Sequence, residues 1–370
     1  MTAPSAVELA PEYVRAIAPY RAGKPISEVA REFGLDESKI VKLASNENPL
    51  GMPESAKQAM LAAAGDLGRY PDANGFELKA VLSRRLGVPA EWLTLGNGSN
   101  DILELVAHAM LQPGRSAVYS QYSFQVYELA TQETGARAIV VPAQDYGHDL
   151  PAMRAAIAED TRVVFIANPN NPTGTFLPAA GIEAFLGSVP SHVVVVLDEA
   201  YNEYLAPALR FDAVRWVERF PNLVLSRTMS KAYGLAGLRV GYAVAQPALT
   251  DLLNRVRQPF NVNSLAQAAA IAALADEAFL ERSRALNAQG LALLQQSFDA
   301  LGLPYVPSYG NFVLVKVGDA AAVNLALLKA GVIVRPVGNY GLPEWLRVTV
   351  GLPAENEAFL AALRRALGRA

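Results

Sequence analysis

Residues 193–201 read Val-Val-Val-Val-Leu-Asp-Glu-Ala-Tyr, and this stretch decides the architecture. Val193–Leu197 is an unbroken β-branched and apolar run, which suits a strand covered on both faces, as in the interior of a parallel sheet. Asp198 and Glu199 close it. A carboxylate at the end of a buried strand is costly unless it meets a cation or a metal. Further strand patterns occur at Val118–Ser120, Ala138–Val141, Arg162–Ala167 and Leu223–Ser226. From about residue 50 to 260 such patterns alternate with helical ones, which predicts a mostly parallel sheet with helices on both faces. One of those helices, Asp101–Met110, places Ile102, Leu105, Val106 and Ala109 on a single face. After Asn263 an Ala/Leu-rich helical region runs toward Leu301. The strand patterns Phe312–Val317 and Leu346–Val350 then point to a second, α+β lobe. The expected division is an arm and the start of a small domain in 1–45, a large domain in 46–262, and a small C-terminal domain in 263–370.

The chain has 370 residues, too many for one ordinary core and comfortable for two lobes. Its formal net charge of −3 gives no drive toward nucleic acid or anionic membranes. With 0 cysteines, disulfide and thiolate chemistry are excluded. No apolar stretch approaches the length of a membrane span, and the N-terminus lacks a basic start followed by an apolar run. A cytoplasmic protein is the expectation. Ser27–Leu35 has helical spacing with a stop at Gly34, like the opening of a helix-turn-helix. The recognition helix of such a motif would fall near Leu43–Gly51 (LASNENPLG), but that stretch is turn-rich and not basic, so a DNA-reading role is not expected.

Four features fall at the ends of predicted strands, where open α/β sheets bind ligands. Gly96-Asn97-Gly98-Ser99 lies between the strand-like WLTL and a helix, so glycines and a helix N-terminus come together, as anion sites require. An ordinary N-cap reads equally well there. The third glycine of a dinucleotide fingerprint and the Gly-Lys-Ser/Thr of a P-loop are both missing. Asn168–Gly174 (NPNNPTG) is a tight turn by composition, yet Asn171 offers an amide donor at a strand end. Asp198-Glu199 resembles a magnesium-holding acidic pair, but the nucleotide loop such a pair serves is absent. A protonated heterocycle or an arginine remains as its partner. Finally, Ser226–Gly241 sets Lys231 among hydroxyls, glycines and Arg239, a poor composition for a core and too apolar for a solvated surface helix.

In this order, NPNNPTG (168–174), DEAY (198–201) and SKAYGLAGLRVG (230–241) resemble the signatures of class I/II aminotransferases. The resemblance spans nearly the whole chain, and the spacing of Lys231 and Arg239 fits it. It implies an α/β fold, the PLP-dependent transferase fold type I, with a mostly parallel central sheet in the large domain. It also implies pyridoxal 5'-phosphate as cofactor and no metal. Lys231 would carry the cofactor as a Schiff base and shuttle protons, and Asp198 would keep the pyridine nitrogen protonated. Tyr201 and Asn171 would hydrogen-bond its phenolate oxygen, and Tyr122 would stack over the ring. Gly98, Ser99, Thr228, Ser230 and Arg239 would bind the phosphate, joined by the partner subunit's Tyr70 in a homodimer with shared active sites.

Pro19–Pro25, Leu43–Gly51, Arg69–Asp72, Gly331–Pro336 and Leu346–Gly351 together are similar to the histidinol-phosphate aminotransferase branch. That similarity implies Tyr20, Arg335 and Arg347 around a substrate phosphate, with Asn97 also at the substrate. The partners would be a small-molecule amino donor and a 2-oxo acid acceptor. A guanidinium suits carboxylate or phosphate equally, so transamination of aromatic amino acids stays open beside histidinol phosphate. A regulatory protein on the same fold, without turnover, is the reading from another class.

Overall fold

The computed structural model describes residues 5–19 and 23–369. Thirteen strands follow one another as β1 (Val41–Lys42), β2 (Leu93–Gly96), β3 (Ser116–Ser120), β4 (Arg137–Val141), β5 (Thr161–Ala167), β6 (Val194–Asp198), β7 (Leu223–Thr228), β8 (Gly241–Val244), β9 (Tyr305–Val306), β10 (Phe312–Lys316), β11 (Val332–Ile333), β12 (Arg335–Val337) and β13 (Leu342–Thr349). Seven of them form the main sheet, in the order β2-β8-β7-β6-β5-β3-β4. The run β7-β6-β5-β3-β4 is parallel, and β8 lies antiparallel between β2 and β7. The expected central strand is β6, buried at every position. Its side chains alternate between two cores: Val195 and Leu197 enter one face's cluster, Val194 and Val196 the other's. That division is the period-two geometry of a strand between two helical layers.

The smaller unit is built on the antiparallel sheet β12-β13-β10-β9, with β1 pairing in parallel to β11 beside it. Its core gathers Leu294, Phe298, Val313, Val315, Leu346, Val348 and Phe359, with Leu43 from the N-terminal segment. The helical region after Asn263 is two helices, Ser264–Ala275 and Glu277–Ala300. Asp276 separates them and caps the second, its carboxylate accepting from Phe279 N–H at 3.0 Å. The first helix packs Ala266, Ala269, Ala270 and Ala273 into the large core, as does Leu280 just beyond. Farther along the 24-residue helix Glu277–Ala300, Leu294 and Phe298 pack instead into the core of the smaller unit. Alanine lets the helix Ser264–Ala275 lie close on Glu54–Ala63, and composition alone does not mark it as large-unit core. Among the described residues no helix is long and apolar enough to cross a membrane.

Candidate active site

The C-terminal ends of β2, β5, β6 and β7 open onto one cavity of about 370 Å³, closed on its other side by β12 and β13. Ser99, Asn171, Asp198, Tyr201, Thr228, Ser230, Lys231, Arg239, Arg335 and Arg347 all reach its wall. These residues come from widely separated parts of the chain; the strand-end rule joins those around the main sheet, and Arg335 and Arg347 come from β12 and β13 of the smaller sheet.

Asp198 ends β6 and is only 5% exposed. Tyr127 donates its hydroxyl to one carboxylate oxygen at 2.9 Å, and the Ala200 N–H donates to the other at 3.2 Å. Burial still outweighs those donors and lifts the carboxyl to about 6. The neighbouring Glu199 is neutralised separately: Arg227 Nε and Nη2 reach its buried Oε2 at 2.8 and 2.7 Å. Asp198 thus faces the cavity as a single buried carboxylate suited to a cation.

Lys231 follows β7 and lies half-buried, its Nζ donating to the Ser45 carbonyl at 3.1 Å. Burial, followed by the guanidinium of Arg347, pulls its ammonium down to about 8. A neutral amine is therefore accessible near physiological pH. Tyr201 lies with its ring 5.8 Å from that nitrogen, and its oxygen accepts from Asn46 Nδ2 at 2.9 Å. Burial raises its hydroxyl to about 12, so it stays a proton donor. Asn171 Oδ1 accepts from Arg347 Nη1 at 2.6 Å, which leaves the amide's Nδ2 as the donor for a ligand.

At the other end, Gly98 has φ +80° and precedes the helix Ser99–Met110. A Cβ on Gly98 would strike the Arg239 guanidinium, and one on Gly241 would lie 2.7 Å from the Ser99 nitrogen. Arg239 in turn donates to the Ser230 hydroxyl at 3.2 Å. Backbone, helix N-terminus, hydroxyls and guanidinium so converge without side-chain obstruction, which is what an anion cradle needs.

A phosphorylated pyridine aldehyde fits this donor set. It requires an anion cradle, a buried carboxylate for a ring nitrogen, donors for a phenolate oxygen and an amine of lowered pKa, and the cavity holds each. Among the described residues no group of three or more His, Cys, Asp or Glu is placed to hold a metal.

Two expected residues, Tyr122 and Asn97, are elsewhere. Tyr122 does not line the cavity; its ring stacks on Tyr146 at 5.9 Å beside Trp345. The turn closed by Ser123 Oγ donating to Ser120 O swings Tyr122 away, and Phe124 two residues on lines the wall instead. Asn97 is exposed, and its N–H donates to Asp101 Oδ2 at 2.7 Å, a helix-terminal contact away from the cavity wall. Tyr70, expected in the partner subunit's cavity, is 82% exposed on this chain and stacked on Phe260 at 4.7 Å. Tyr20 lies outside the described residues. Phe124, Tyr127, Lys42, Ser45 and Asn46 are site residues that the sequence reading misses. Tyr127 carries a signal, as the aromatic one helical turn beyond Phe124. Asn46 carries none, because its composition-level signature is only that of a turn.

The sequence model described as Aminotransferase class I and II matches residues 38–363. The chain is 73% identical over 365 residues to histidinol-phosphate aminotransferase 1 of Cupriavidus pinatubonensis, covering 98% of this chain and 97% of that one. It is 68% identical to histidinol-phosphate aminotransferase 2 of Ralstonia nicotianae, covering 98% of each. The crystal structure of histidinol-phosphate aminotransferase from Sinorhizobium meliloti in complex with pyridoxal-5'-phosphate superposes with a TM-score of 0.89 at 30% identity. That match covers 96% of this chain and 97% of the other.

Proposed function

The chain belongs to the class I and II aminotransferases, and on that premise we propose that it converts L-histidinol phosphate and 2-oxoglutarate to imidazole-acetol phosphate and L-glutamate, in histidine biosynthesis. The observation that carries the substrate choice is the opposition of Arg335 and Arg347 on one cavity wall. Two guanidinium groups can grip a phosphate dianion from both sides.

Pyridoxal 5'-phosphate, when bound, supplies a carbonyl that condenses with amines and an electron-poor ring that stabilises negative charge at the substrate Cα. The protein's residues do the rest. Asp198 holds a proton on the ring nitrogen and is itself steadied by Tyr127. Asn171 and Tyr201 meet the phenolate oxygen. Gly98, Ser99, Thr228, Ser230 and Arg239 bind the cofactor phosphate, and Phe124 takes the ring-covering place expected of Tyr122. Lys231 anchors the cofactor and then moves the proton at Cα, a task its lowered pKa suits. The exposed Tyr70–Phe260 stack supports contact with a second copy, whose cavity Tyr70 would complete. A monomer in sedimentation at working concentrations would remove that part of the reading.

The deciding experiment is a half-reaction. The protein loaded with pyridoxal 5'-phosphate is titrated with L-histidinol phosphate and, separately, with L-phenylalanine, following loss of its visible absorption. Conversion by histidinol phosphate at much lower concentration is expected. Preference for phenylalanine would move the chain to the aromatic-amino-acid branch.

A further inference from the structure

The segment Ala44–Glu47 runs along the cavity, and successive residues each hold a different group. The Ala44 carbonyl accepts from Arg347 Nη2 at 2.7 Å, and the Ser45 carbonyl accepts from Lys231. Asn46 donates its side-chain amide to Tyr201, and Glu47 pairs with Lys42 at 2.9 Å. Asn46 is almost fully buried and has φ +55°, a left-handed conformation that asparagine tolerates better than most residues. Asn311 Nδ2 ties its carbonyl at 3.0 Å.

The orientation of the Asn46 amide is set by its neighbours. Thr349 Oγ1 accepts the Asn46 backbone N–H at 3.0 Å, so the hydroxyl's one proton remains to be donated. Asn46 Oδ1 lies 3.0 Å from that oxygen and takes it. With Oδ1 turned to Thr349, Nδ2 must face Tyr201 and donate. A phenol oxygen that accepts in this way keeps its own proton for another acceptor, and Tyr201 lines the cavity. Thr349 also lies two residues beyond Arg347 on β13, on the same face of the strand.

We propose that Asn46 is a positioning residue which, oriented by Thr349, holds the Tyr201 hydroxyl as a proton donor toward the cofactor's phenolate oxygen. This rests on the assignment of the cavity to pyridoxal 5'-phosphate and of Tyr201 to that oxygen. A donor there stabilises the bound form that carries unshared negative charge on the oxygen. Losing the donor moves the pH midpoint of the visible absorption upward.

The test is a spectroscopic pH titration of the loaded protein, with the cofactor's dissociation constant measured alongside. Glycine adopts φ +55° without strain, so Asn46→Gly removes only the side chain. Asn46→Gly and Tyr201→Phe should each raise the midpoint, by about half a unit to one unit for a single hydrogen bond. The double variant should match Tyr201→Phe alone. Thr349→Val should shift in the same direction, and Thr349→Ser, which keeps the hydroxyl, should restore the wild-type midpoint. A wild-type midpoint in Asn46→Gly beside a shifted Tyr201→Phe would overturn the proposal, as would shifts that simply add. If Tyr201→Phe leaves the midpoint unmoved, the assignment of Tyr201 falls and the proposal with it.

Discussion

Arg335 of β12 and Arg347 of β13 stand directly opposite each other across an antiparallel pair, both at the cavity wall. Like charges in such positions repel, and an anion between them reverses the sign of the interaction. Arg347 is braced by Asn171 and the Ala44 carbonyl, so it also belongs to the frame around the cofactor.

Arg335→Gln is expected to raise the KM for L-histidinol phosphate with little change in kcat. A charge-assisted hydrogen bond is worth about 1.5–3 kcal/mol, so the increase should be roughly ten- to hundredfold. Arg347→Gln should raise KM and lower kcat together, because Asn171 loses its brace. Steady-state kinetics of the two variants separate these roles, and identical behaviour would contradict the division between them.

Lys231→Ala is expected to lose turnover while far-ultraviolet circular dichroism stays unchanged. Appreciable residual transamination by that variant would sink the assignment of Lys231.

The protein stripped of cofactor should capture pyridoxal 5'-phosphate faster as pH rises through about 8, where Lys231 becomes neutral, rather than through the ordinary lysine value of 10.5. The same shift has a stability consequence. Between about 8 and 10.5 the unfolded chain binds more protons at this lysine than the folded one, so its contribution to stability increases with pH across that window. Capture rates across a pH series check the first point, and a midpoint near 10.5 would show that Lys231 is not depressed.

Tyr127→Phe removes the hydroxyl that donates to Asp198 and leaves the ring stacked on Phe165 at 4.8 Å. Cofactor affinity should fall roughly tenfold or more, in line with a hydrogen bond to a charged group. Equilibrium dialysis gives the dissociation constant, and an unchanged value would assign Tyr127 to packing alone.

Gly98→Ala places a Cβ against the Arg239 guanidinium at a backbone angle of +80°. Weaker cofactor retention and a melting temperature lower by about one to two degrees are expected, since the strain costs about 1 kcal/mol. Calorimetry with and without cofactor distinguishes the two effects.

Much of this is legible in the sequence because it is written in local patterns. The apolar run ending in Asp198 predicts a buried strand and a carboxylate at its end, and β6 has both. The four residues of β8 look like no more than the glycine-rich tail after Arg239, since a strand that short between longer ones leaves no periodicity. Tyr122 and Phe124 are hard to tell apart by sequence, because two neighbouring aromatics look alike until the turn at Ser123 fixes which faces inward. Asn46 is illegible for another reason. Its role depends on Thr349, 303 residues away, and on the direction of a single amide.

The buried pair of Arg227 and Glu199 sets the valence of the site. Two adjacent carboxylates at a strand end form a natural seat for a divalent ion, but the guanidinium cancels one of them. What faces the cavity from β6 is a single negative charge, matched to one protonated ring nitrogen and poorly matched to magnesium. The charge that the cavity meets at the end of β6 is thereby fixed from the layer behind it, by Arg227, which does not line the cavity.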